Sequence, residues 1–445
     1  MRPGPRRRRH RPRRPRATVL PGERPAARRY STLRCRRNRA MRGAHLQPPG
    51  PLRSAGGFGA GAPGHHHADG VRAPISGHGG RPVRAHVPWL AGAVQPLGGA
   101  LEGAAAVPGG GQRTPGSGGT DGGDLRSPGG GGGARGPELD LSVPSRGYAW
   151  WYVDALSDDG KHGLTLIAFI GSVFSPYYFK GRKRGQADPQ DHVSLNVCLY
   201  GEERRWTMTE RRAGSLSQTP STLTIGPSRL HWAPDHGLII AIDEIGTPIP
   251  QRVRGRVHVM PHFVNEQVFT LDEAGRHRWR PVAPSARVDV ELQKPALRWS
   301  GHAYFDRNWG DEPIEDGFVY WDWSRGELGE QESAILYNMD RRHGGPKQLA
   351  LRFSPQGVDA FEPPPNHRLP RTPIWQVPRG SQADAEHPPK VSKTLEDTPF
   401  YSRSVIATHL LGRPITAVHE SLSLNRFRSP IVQHMLPYRM PRRRQ

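Results

Sequence analysis

The chain has 445 residues, 63 Lys and Arg against 40 Asp and Glu, a formal net charge of +23, and two cysteines. That length accommodates two or three domains. Two cysteines argue against a disulfide framework or a cysteine-built metal site, and the sequence holds no run of about 18 apolar residues that would cross a membrane as a helix. Residues 1–135 carry 24 Arg, no Lys and five acids, so +19 of the +23 lies there and the rest of the chain is nearly balanced.

In chain order, residues 1–136 are Arg, Pro and Gly punctuated by Ala and His, with too few large apolar side chains to offset the entropy cost of folding, and are expected to be disordered. Three readings fit them: solvated disorder, a basic arm for nucleic acid or anionic lipid, and an overextended gene model of a GC-rich gene. Tyr30, Phe58 and Trp89 are too scattered to form a stacking platform, and no nucleic-acid partner is expected. The positive N-terminus lacks an apolar segment of signal-peptide type, which argues against secretion.

From about Leu139 the pattern changes to strands. Residues 148–154 and 163–170 flank Asp158-Asp159-Gly160, a hairpin signal. Alternation follows in 192–200, where Val193, Leu195, Val197 and Leu199 share a face, in 252–259 and in 286–292. Further candidates are 221–225, 237–243, 332–339, 347–353, 402–411 and 415–423. Period-two patterning with one polar face marks antiparallel sheet, and convincing helical periodicity is absent after residue 140. The folded part therefore reads as all-β, divided into 137–294 and 295–445, with 362–391 as a long Pro-rich loop.

The stretch 299–325 crowds Trp299, Tyr304, Phe305, Trp309, Phe318, Tyr320, Trp321 and Trp323 around Asp306, Asp311, Glu312, Asp316 and Asp322. Aromatic faces stabilise cations and bind long apolar molecules, and a carboxyl group among them is held protonated near neutral pH. Such a mixture suits acid chemistry on a hydrocarbon. The competing interpretation makes the aromatics core and Asp306 a partner of the turn at Arg307-Asn308.

The motifs YAWWYVDALSDDG from Tyr148, GLTLIAFIGSVFSPYY from Gly163, DHVSLNVCLYG from Asp191, RWTMTER from Arg205 and DRNWGDEP from Asp306 resemble the acyclic carotenoid 1,2-hydratases, also called hydroxyneurosporene synthases. The resemblance spans about 145–437, with no counterpart expected for residues 1–135. It implies two lipocalin-like antiparallel β-barrel domains and cofactor-independent addition of water to the terminal C1–C2 double bond of neurosporene or lycopene. It also implies that the catalytic acid falls on Asp306 and supporting aromatics on Trp279 and Tyr304. Substrate-binding roles are expected for Trp309, Trp321, Trp323 and Tyr320.

Within that scheme Asp322 is an alternative acid, although strand alternation sets it on the face opposite Trp321 and Trp323. His302 and His192 are candidate proton relays; strand histidines are more often structural. His258 and His262 are interrupted by Pro261 and lack a completing carboxylate or Cys, so no metal is expected. A lipocalin-like carrier that holds an apolar ligand without transforming it is the alternative function, and a carboxylic acid inside the cavity is what separates enzyme from carrier. Because an acyclic carotenoid is insoluble in water, peripheral contact on the cytoplasmic side of the inner or photosynthetic membrane is expected, with SPYYFKGRKR from Ser175, including Tyr177, Tyr178 and Phe179, as a candidate contact and a solvated charged loop as the competing interpretation of that stretch.

Overall fold

The computed structural model describes residues 136–443. The first antiparallel sheet is built from β1 (Tyr148–Ser157), β2 (Gly163–Ile170), β3 (Val193–Tyr200), β4 (Arg205–Arg211), β5 (Leu216–Thr219), β6 (Thr222–Ile225), β7 (Ser228–Ala233), β8 (Gly237–Ile245), β9 (Arg252–Pro261), β10 (Phe269–Thr270), β11 (His277–Lys294) and β12 (Leu297–Gly310). Their order is β4-β3-β2-β1-β12-β11-β9-β8-β7-β6-β5, with β10 paired to β11, and the sheet curls until β4 approaches β8. The second sheet takes β13 (Phe318–Gly329), β14 (Glu332–Arg341), β15 (Pro346–Ser354), β16 (Gly357–Ala360), β19 (Lys390–Asp397), β20 (Tyr401–Leu410) and β21 (Arg413–Ser423), in the order β16-β15-β14-β13-β21-β20-β19. Between them in sequence, β17 (Asn366–Leu369) and β18 (Arg379–Gln382) form a separate hairpin.

Two lipocalin-like antiparallel β-barrel domains are expected from sequence, and the all-β class holds, as one large curled antiparallel sheet and a second of seven strands. The expected division at 294/295 does not describe the sheets, because it cuts the hairpin between β11 and β12. Strand β12 pairs with both β11 and β1, so the change of sheet falls between Gly310 and Phe318. The Pro-rich segment expected as one long loop carries the β17–β18 hairpin. Expected disorder in residues 1–135 lies outside the described residues.

Period-two alternation makes the two faces of β1 and β12 different surfaces. Ala149, Trp151, Val153, Ala303 and Phe305 fill the core inside the curled first sheet. Burying a side chain such as Phe305 contributes roughly 1.5–3 kcal/mol. Tyr148, Trp150, Tyr152 and Tyr304 point the other way and pack with Trp321, Trp323, Tyr337 and Phe353 of the second sheet in a second, aromatic core. The β1–β2 hairpin turns as expected at Asp158-Asp159-Gly160. Ser157 Oγ and the Lys161 amide donate to Asp159 Oδ1 at 2.6 and 3.0 Å, and Gly160 takes φ of 68°.

Sequence reading missed the short helices. Helix α1 (Pro176–Lys183) begins at Ser175, whose hydroxyl accepts from the amides of Tyr177 and Tyr178, with Pro176 in the first turn where its missing N–H costs nothing. Three further short helices are α2 (Ile314–Gly317), α3 (Leu424–Phe427) and α4 (Pro430–Met435). A single turn or two leaves no periodic pattern to detect.

Candidate active site

Tyr304 and Asp306, two residues apart on β12, face the second sheet together. Trp279 of β11 lies opposite Asn308, which sets its indole diagonally beside Asp306. Tyr304 Oη donates to Asp306 Oδ2 at 2.7 Å, and Trp279 Nε1 donates to the same oxygen at 2.9 Å while lying 3.1 Å from Tyr304 Oη. Opposite Asp306 on β11 stands Pro281, and the pairing slips between Pro281 and Ala283 and again between Ala283 and Ala286. Such bulges bend a strand and re-aim its side chains.

Asp306 is buried, and its Oδ1 has no hydrogen-bond partner among the described residues. Burial pushes its carboxyl well above the usual range; the bonds from Tyr304 and Trp279 pull the other way, and Glu420 and Asp154 add to the rise. Burial thereby favours the neutral acid over the carboxylate. With Oδ2 accepting from two donors, Oδ1 is the oxygen left to carry the proton. Burial likewise raises Tyr304, which stays a phenol.

Asp306 lines a small pocket with Trp150, Tyr152, Asn308, Trp321, Trp323, Tyr337 and Glu420, a space of about 310 Å³ partly open to its surroundings. Trp150, Tyr152, Trp321 and Glu420 are also walls of a larger cavity, so the two adjoin. Its remaining walls include Phe169, Phe174, Phe400, Leu422 and Met440. The result is an apolar passage between the sheets that ends on a carboxylic acid.

A second carboxylate stands in the same pocket. Glu420 of β21 accepts at Oε1 from Tyr152 Oη at 2.6 Å and from Arg403. Burial raises its pKa, and the Arg403 guanidinium opposes the rise. Behind it, Asp154 pairs with the buried Arg325 at 2.7 Å. Glu420, Tyr152, Trp150 and Tyr337 were not singled out from sequence. The Tyr148-Trp150-Tyr152 alternation on β1 was the available signal for two of them; Glu420 is brought in only by the pairing of β21 with β13.

Trp321 and Trp323 line the pocket as expected, the first shared with the larger cavity. Two other expected substrate contacts are corrected. Trp309 lies on the opposite face of β12 from Asp306, against the first core, with the Arg307 guanidinium 4.2 Å from its ring. Tyr320 lies on the opposite face of β13, where its hydroxyl sits 2.7 Å from Asp322 Oδ1 and 2.8 Å from the Pro378 carbonyl. Strict alternation along each strand requires both placements.

Asp322 accepts from Ser421 on the neighbouring strand, on that same outer side. His302 lies beside Asp158, Arg287 and Glu327, and His192 is bonded to Glu210 at 2.8 Å; neither lines the Asp306 pocket. His258 bonds the His236 carbonyl and His262 bonds Ser285, so the two do not share a partner. Tyr178 and Phe179, expected to insert into a membrane, are buried, while Lys180, Lys183 and Arg184 of the same stretch are exposed.

A family model described as carotenoid hydratase CrtC matches residues 166–445. The acyclic carotenoid 1,2-hydratase of Thiocapsa roseopersicina is 52% identical over 404 residues, covering 90% of this chain and 99% of that protein. The acyclic carotenoid 1,2-hydratase of Rubrivivax gelatinosus is 50% identical over 380 residues, covering 84% and 93%. Alignments of that length extend upstream of Gly136, which corrects the expectation that residues 1–135 have no counterpart. Among solved structures, an AttH protein from Nitrosomonas europaea is 14% identical with a TM-score of 0.45, covering 62% of this chain and 92% of that one. The chain belongs to the carotenoid hydratase family, enzymes that add water to carotenoids.

Proposed function

We propose that the protein adds water across the terminal C1–C2 double bond of an acyclic carotenoid such as neurosporene or lycopene, with Asp306 as the acid. The observation that carries this reading is Asp306 Oδ1, buried and without a hydrogen-bond partner among the described residues, on a carboxyl that burial pushes upward in an aromatic pocket. An isolated trisubstituted alkene is a poor electrophile, so hydration begins with proton delivery to C2. The Asp306 O–H bond breaks, a C2–H bond forms from the alkene π pair, and a tertiary cation remains at C1.

The faces of Trp150, Trp321, Trp323 and Tyr337 bound the space where that cation forms, an interaction worth about 2 kcal/mol or more when desolvated. Trp279 and Tyr304 act from behind, fixing Oδ2 and stabilising the carboxylate that Asp306 becomes. Water then bonds to C1 and loses a proton to Glu420, the other carboxylate of the pocket. Return of that proton to Asp306 through solvent restores the resting state, so the net change is one water added. Proton and water suffice for this sequence, and we assign the enzyme no cofactor.

A carrier has no use for a buried acid in its cavity, and a buried ionisable group costs free energy, so the catalytic reading accounts for Asp306 where the carrier reading does not. We place the activity at the cytoplasmic side of the inner or photosynthetic membrane, where such a substrate dissolves. Supplying lycopene and neurosporene to the full chain in a bacterial host, with chromatography and mass spectrometry of the pigments, tests the reaction. Gain of one water per modified end is expected; unchanged pigment from folded protein would return the argument to the carrier.

A further inference from the structure

The roof of the larger cavity is made by the C-terminal segment. Val432, Met435, Leu436 and Met440, from α4 and the turn after it, line that cavity. Two neighbours in sequence point outward: Ile431 is 72% and Tyr438 65% exposed, the two highest values among exposed large hydrophobics of the described residues. Large apolar side chains that stay in water this fully, on the outer side of a ligand cavity, mark a contact surface.

Within the segment itself the charge has one sign, although Arg442 pairs with Glu210 of β4 at 3.0 Å. Residues 421–443 contain no Asp or Glu but carry Arg426, Arg428, Arg439, Arg442 and Arg443. Beside this segment lies α1, joined to α3 through Phe179 and Phe427, whose rings stand edge to face at 5.8 Å. Residues 176–187 are also free of acids, and Lys180, Lys183 and Arg184 are exposed there, as is Arg428 of the roof.

We propose that this roof, with Ile431 and Tyr438 inserted and Lys180, Lys183, Arg184 and Arg428 around them, is the surface by which the enzyme docks on an anionic lipid bilayer. The proposal rests on the reading that the substrate is a carotenoid dissolved in that bilayer. Apolar side chains on a basic segment fit the boundary between acyl chains and acidic headgroups. Docking there places the bilayer on the other side of α4 from the cavity, so a carotenoid end has only the roof to pass. Of the stretch expected from sequence to insert, Phe179 instead packs α1 against α3 and Tyr178 donates to the Gly147 carbonyl, while its cations remain as the rim.

The test uses the full chain and two kinds of vesicle, phosphatidylcholine alone and phosphatidylcholine with phosphatidylglycerol, read by hydrogen–deuterium exchange. Because exchange is localised, binding by the basic residues 1–135 does not obscure the result. Protection of amides in 424–443 by the anionic vesicles, absent with the neutral ones, is expected. No protection there, equal protection by both vesicles, or protection by single-stranded RNA in place of vesicles would overturn the proposal.

A paired measurement separates docking from chemistry. The double variant Ile431→Glu/Tyr438→Glu is expected to hydrate vesicle-borne lycopene about tenfold more slowly than wild type and detergent-dispersed lycopene at the wild-type rate. Equal rates from vesicles would overturn docking. Absence of hydration by the wild type in either format would refute the hydratase reading, while the exchange pattern still decides the docking surface.

Discussion

Tyr304 donates its phenol proton to Asp306 Oδ2 from two residues away on the same face of β12, 2.7 Å across, and leaves Oδ1 as the oxygen without a partner among the described residues. A hydrogen bond to the carboxylate favours ionisation, so this bond restrains a pKa that burial drives upward. Tyr304→Phe is therefore expected to move the alkaline limb of the pH–rate profile to higher pH while lowering kcat by about tenfold, because the carboxylate formed on proton transfer loses a donor. An unmoved limb in the variant would show that Asp306 does not set it.

Burial of Asp306 has a stability consequence with a definite sign. Its folded pKa lies above the unfolded value, so its contribution is fully present below the ordinary carboxylate range and is lost as pH rises through the folded pKa. Between those limits wild type loses up to about 1.4 kcal/mol per pH unit relative to Asp306→Asn. Chemical denaturation of both proteins at a series of pH values checks this: the variant gains on wild type as pH rises, then the difference levels. Parallel curves throughout would mean that the carboxyl is ionised in the fold.

Glu420 receives the water proton in this account, so Glu420→Gln leaves protonation of the alkene possible and hinders its capture. The expected loss is about a hundredfold in kcat with KM nearly unchanged. In D2O the recovered substrate should carry deuterium, because the cation reverts by losing a proton. Loss of activity without such exchange would place Glu420 before the cation rather than after it.

Trp309 and Tyr320 provide the control. Both point away from the pocket, so Trp309→Phe and Tyr320→Phe are expected to keep turnover within about twofold of wild type. Steady-state rates on detergent-dispersed lycopene measure it, and a loss comparable to that of a pocket tryptophan would contradict the assignment of faces.

These two residues also show where sequence reading ran out. The turn signal at Asp158-Asp159-Gly160 identified the β1–β2 hairpin and alternation identified β3 with nearly correct ends, because Val193, Leu195, Val197 and Leu199 recur with period two. The aromatic stretch 299–325 carries Tyr304, Asp306, Trp321 and Trp323 of the candidate site, but it is two strands of different sheets joined through α2, and richness in aromatics does not say which face each occupies. Applying alternation to Asp306 itself would have excluded Phe305 and Trp309. Glu420 was beyond reach, since a single charged residue on β21 acquires meaning only when β21 pairs with β13 and sets it across from Tyr152.

The most direct test of the central claim is conversion of lycopene by Asp306→Asn in the full chain. Asn keeps the shape and an acceptor for Tyr304 and Trp279 but has no acidic proton. The account predicts a folded protein with thermal stability at least equal to wild type at neutral pH and hydration slowed about a thousandfold. Hydrated product at close to the wild-type rate would contradict it, and the acid would then have to be sought elsewhere in the passage.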